Sequence, residues 1–103
     1  MMQPSLLDWQ PPADAHFNGP AYSAEHDQAR LSGQIKRVHD AMIDGKWRTL
    51  GEIEAITRDP PASISAQLRH LRKKRFGSFV VNKRARGERS AGLWEYQLQR
   101  PAA

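Results

Sequence analysis

The sequence predicts an α+β domain, three short helices followed by a β-hairpin, and three observations carry that prediction. Apolar residues recur at helical spacing in three separate segments between residues 31 and 71. An alternating pattern with a period of two replaces this spacing near the C-terminus. Asp44-Gly45, Pro60-Pro61 and Gly77 stand at the joints between these segments, where turn-forming residues belong.

Leu31, Ile35, Val38 and Met42 form one stripe of an amphipathic helix, predicted over residues 29–44 and stopped by Asp44-Gly45. Lys46-Trp47-Arg48 is short and extended. Thr49 and Glu52 have the spacing of a capping box, so a second helix is expected over 50–57. Leu50, Ile53 and Ile56 are expected to line its buried face. Arg58-Asp59-Pro60-Pro61 must turn, because Pro61 forces Pro60 out of helical geometry. Pro61 suits the first turn of a third helix, predicted over 62–74 with Ile64, Leu68 and Leu71 inward. Ser78–Lys83 and Leu93–Leu98 read as the two strands of a hairpin. Trp94, Tyr96 and Leu98 fall on one face of the second strand, Glu95 and Gln97 on the other. Phe76 and Phe79 are expected to pack.

The segment 1–27 holds Pro4, Pro11, Pro12, Gly19 and Pro20 and keeps neither period, so it reads as a flexible arm. Residues 28–99 form the predicted domain and 100–103 a short tail. The chain has no cysteine, which excludes disulfides and cysteine-based zinc sites and fits a cytoplasmic setting. No apolar run reaches the ~18 residues of a membrane span, and the first ten residues lack the pattern of a secretion signal. His16, His26, His39 and His70 have no metal-site spacing. No nucleophile–base group, phosphate loop or dinucleotide turn is present, so neither an enzyme nor a bound cofactor is expected.

Charge is the strongest functional signal. The net charge is +5, yet residues 1–30 carry −3 and residues 69–89 carry +8, with Glu88 the one acid in that block. Such clustering is the footprint of a polyanion binder. On the predicted third helix the face opposite Ile64, Leu68 and Leu71 holds Ala62, Ser63 and Ala66, then Arg69, His70 and Lys73. Small residues allow close approach to the floor of the DNA major groove, and Ser63 can bond base edges or phosphate. Arg69 and Lys73 suit phosphate or guanine, and Arg72 lies to the side. Ser65 and Lys74 complete the candidate set on this helix, Ser65 alternatively being an ordinary intrahelical polar residue. Lys83, Arg84, Arg86 and Arg89 make the hairpin loop basic. Trp47, Trp94 and Tyr96 could stack bases, but their strand spacing favours a place at the edge of the core.

The order helix, short strand, helix, turn, helix, strand, basic loop, strand resembles the winged helix-turn-helix family over residues 29–99. Residues 44–53, Ser63–Arg69 and Gly92–Tyr96 are similar to segments of small, uncharacterised phage and prophage winged-helix proteins. The resemblance implies that helix three enters the major groove while the hairpin, as a wing, tracks phosphates or enters the minor groove. Double-stranded DNA is therefore the expected partner and transcriptional regulation the expected task. A second resemblance lies in the arm. Gln3-Pro4-Ser5-Leu6-Leu7 is similar to the peptide by which bacterial replication proteins bind the sliding clamp. It implies that Gln3 bonds backbone while Leu6 and Leu7 fill a pocket, although Pro4 and Leu7 depart from the usual residues. The competing expectation is thus an adaptor in DNA replication or recombination that recruits a partner through its arm; otherwise the arm is a disordered tail, or one whose Leu6, Leu7 and Trp9 pack back on the domain. Whether the chain pairs with a second copy stays open.

Overall fold

The computed structural model describes residues 9–12, 17 and 24–101. Helix α1 (Ala24–Met42) is followed by strand β1 (Arg48–Thr49), α2 (Leu50–Thr57), α3 (Pro61–Leu71), β2 (Val80–Ala85) and β3 (Trp94–Gln99). The architecture is α+β: three helices packed on a three-stranded antiparallel sheet of order β1-β3-β2. No helix among the described residues is long and apolar enough to cross a membrane.

Local chemistry explains most boundaries. Helix α1 begins five residues before its expected start and ends at Met42, with Gly45 beyond it at φ +80°. Asp44 then accepts both arms of the Arg48 guanidinium at 2.7 and 2.8 Å, which ties the helix exit to β1. The Arg48 fork also holds the Asp44 carboxyl down to about 2. The capping box forms as expected: the Glu52 N–H donates to Thr49 Oγ1, and the Thr49 N–H donates to Glu52 Oε1. Helix α2 ends on Arg58, which adopts the left-handed conformation at φ 66°. Pro61 is the first residue of α3. The predicted third helix ran to residue 74, but α3 stops at Leu71. A 3-10 turn, Lys74–Phe76, follows and closes on Gly77 at φ 116°. A Cβ on Gly77 would lie 2.9 Å from the Phe79 ring, so both backbone and space require glycine there.

The core is built from Ile35, Val38 and Met42 of α1, Ile53 of α2, Ile64, Leu68 and Leu71 of α3, with Phe76, Phe79 and Leu98. Ile56 departs from its expected place: it is 54% exposed, because eight residues of helix allow only Leu50 and Ile53 to face inward, with Thr57 closing the end. The α2–α3 turn is held from α1. Arg37 donates through Nη2 to Asp59 Oδ1 (2.8 Å) and through Nε to Oδ2 (3.0 Å). Gln67 of α3 donates to Gln34, and Gln34 to Asp59.

Two residues of the segment expected to be a loose arm pack on the domain instead. Trp9 stacks on His39 with ring centroids 4.5 Å apart and meets Phe79 edge-on. Phe17 is 2% exposed, against Phe76 and His70. Helix α1 also takes up Ala24 onward from that segment. Gln3, Leu6 and Leu7 lie outside the described residues.

Candidate nucleic-acid interface

The α3 register follows from its apolar residues. Ile64, Leu68 and Leu71 are buried, with Gln67 beside them. Ala62 and Arg69 consequently face solvent, while Ser63, Ser65 and Ala66 are half-buried on the flanks. Arg72 caps the helix, and Lys73 and Lys74 lie beyond it on the turn that leads to β2; all three are exposed. Among the described residues no carboxylate pairs with Arg69, Arg72, Lys73, Lys74 or Arg75. Lys73 Nζ lies 3.3 Å from His70 Nδ1.

His70 is less open than its place on the outer face suggested. Phe17 and Phe76 meet its ring edge-on at 5.3 and 5.8 Å. Burial, then Lys73, Arg75 and Arg69, push its pKa down to about 4. His70 is therefore a half-covered ring on the flank of the helix, neutral at neutral pH.

The hairpin needs a larger correction. Glu88 is the one acid within the basic block, but the fold brings two more to it from outside. In the β2–β3 register Arg84 stands opposite Glu95. Arg84 Nε donates to Glu95 Oε1 at 2.6 Å, and Arg86 Nε donates to Glu95 Oε2 at 2.7 Å. Arg86 Nη2 also reaches Glu52 Oε1 at 2.7 Å. Glu95, on the face opposite Trp94, Tyr96 and Leu98, is only 5% exposed because these two arginines close over it. The Arg84 and then Arg86 bonds depress its pKa, and Arg86 with the Thr49 N–H holds Glu52 down to about 2. The Arg84 guanidinium also lies 4.0 Å above the Trp47 ring. Arg84 and Arg86 are thus fastened to the domain.

Lys83 and Arg89 remain. Lys83 Nζ sits 4.7 Å above Trp94 and 5.9 Å above Tyr96, an arrangement that leaves its charge outward. Arg89 is exposed on a short 3-10 turn between the strands. Trp47, Trp94 and Tyr96 are half-buried, and each has a cation over its ring, Lys83 serving both Trp94 and Tyr96.

Sequence reasoning missed Glu95 and Arg75. Glu95 was legible in principle: a hairpin with Leu98 opposite Val81 places Arg84 directly across from it. Arg75 had no such signal, because its position depends on α3 ending three residues before the predicted end.

No family model, curated protein or solved structure matches the chain.

Proposed function

We propose that this chain is a winged-helix DNA-binding protein, a regulator of the phage type. In this reading α3 enters the major groove, and the β2–β3 hairpin serves as the wing on the backbone. The observation that carries it is the run of exposed cations at the end of α3, Arg69, Arg72, Lys73 and Lys74, which have no carboxylate partner among the described residues. Small residues, Ala62, Ser63 and Ala66, precede them on the same helix and leave room for base edges. The element order and the β1-β3-β2 sheet are compatible with this layout. Lys83 and Arg89 supply the outward charge of the wing, while Arg84 and Arg86 brace it.

The test is a titration of the full chain against random duplex and single-stranded DNA at two salt concentrations. Duplex binding is expected to weaken with a slope in log K against log salt of about −0.9 per neutralised phosphate. An affinity that does not respond to salt, or no binding to duplex, removes the reading.

A further inference from the structure

The segment that joins α3 to β2 carries cations in a fixed frame. The Phe76 and Ser78 N–H groups both donate to Lys73 O at 3.0 Å, the Gly77 N–H donates to Lys74 O, and the Phe79 N–H donates to Leu71 O. This bonding pins Lys73 and Arg75 at the end of the helix. The Arg75 guanidinium lies 5.8 Å from the Phe76 ring centre. Its Nε and Nη2 are shielded from solvent and have no hydrogen-bond acceptor. Buried guanidinium N–H groups without an acceptor are rare, because they have lost water and gained nothing in exchange. Among the described residues Lys73 Nζ meets the neutral His70 ring and no carboxylate. Arg69 and Arg75 both act on Lys73 and His70 as repelling charges. Three cations therefore converge with no carboxylate partner among the described residues.

We propose that Arg75 and Lys73, flanked by Arg69, form a clasp for one phosphate group at the C-terminal end of α3. A guanidinium fork beside a point ammonium matches the several oxygens of a phosphate better than the two of a carboxylate. Binding draws the Arg75 N–H groups to an acceptor and cancels the repulsion around His70. The clasp deepens the DNA reading, since a strand lying along α3 presents such groups. The same chemistry is offered by an internal phosphodiester or by a terminal phosphate.

The experiment follows the Arg75 Nε–H and His70 ring signals by NMR in the isotope-labelled full chain. Inorganic phosphate is added at constant ionic strength, with acetate as the comparison. Saturable shifts of both signals with phosphate, weak ones with acetate, are expected in the native chain and in Arg100→Gln. The His70 shift should disappear in Arg75→Gln. The native-chain titration and Lys73→Gln carry the test if that variant fails to fold. Duplex binding by Arg75→Gln should show a salt slope shallower by about 0.9. Duplexes with and without a 5′-phosphate identify the source: equal binding points to internal diesters, dependence on the end to a terminal phosphate. No saturable shift, equal shifts with acetate, or an unaltered His70 response in Arg75→Gln overturns the clasp. A phosphate response in a protein that binds no duplex leaves the clasp standing and removes the DNA reading instead.

Discussion

His70 is a residue whose protonation the fold opposes at every contact. Phe17 and Phe76 exclude water from its ring, and Lys73, Arg75 and Arg69 surround it with positive charge. The unfolded chain protonates this histidine near 6.5, whereas the folded one waits until about 4. Between those values the unfolded state holds more protons, so stability declines as pH falls through this window. His39, buried under Trp9, acts in the same direction. The melting temperature is expected to fall between pH 6.5 and 4, and His70→Gln to flatten that fall. After discounting for partial exposure the His70 share is on the order of 1 kcal/mol, about 4–8 °C in a domain of this size. Thermal melts across that range check it. Asp44 and Glu52, both held down to about 2, act in a lower window. Their contribution is present above the ordinary carboxylate range and is lost as pH falls toward 2. The angular position of His70 was legible in the sequence. Its cover was not, because Phe17 arrives from a segment 53 positions earlier with no period to announce it.

At the scale of elements, packing and caps set separate expectations. Leu68 is buried between the helices and sheet, so Leu68→Ala should cost about 2–5 kcal/mol, while Ala66→Ser on the flank should cost under ~1 kcal/mol. Equal losses in urea denaturation would mean that α3 is rotated. Arg58 ends α2 in left-handed geometry, at φ 66°. An L-residue with a side chain is strained there and glycine is not, so Arg58→Gly should stabilise the domain by about 0.5–1 kcal/mol, measured by the same denaturation. Helix α2 was the most legible element, since a capping box and a proline pair mark both ends with local chemistry. The end of α3 was less so. Lys73, Lys74 and Arg75 all favour helix intrinsically, and the chain leaves the helix because Phe76 and Phe79 must enter the core on either side of Gly77.

At the scale of the whole molecule the positive charge divides into two populations. Arg84 and Arg86 neutralise Glu95 and Glu52 and close the hairpin onto α2, whereas Lys83, Arg89, Arg72, Lys73 and Lys74 are exposed. Replacing Arg84 and Arg86 together by Ala should lower the melting temperature modestly, because the ion pairs that fasten the hairpin to Glu95 and Glu52 are lost. Replacing Lys83 and Arg89 should spare stability and weaken duplex binding equally on all sequences, while Ser63→Ala and Arg69→Ala should also change base preference. Calorimetry and competition between duplexes separate the two sets; a uniform loss from all of them would reduce the protein to a non-specific binder. The net charge of the block was legible, but which of its arginines are occupied depends on a strand register set by the hairpin. The placement of Trp9 and Phe17 has a practical consequence for anyone who shortens this protein. The apparent boundary just ahead of α1 is the natural place to cut, yet a chain starting there loses the rings that lie on His39, Phe79, His70 and Phe76. Newly bared aromatic surface on a small basic body is adhesive. The shortened chain is expected to self-associate more than the full one, which light scattering of the two side by side checks.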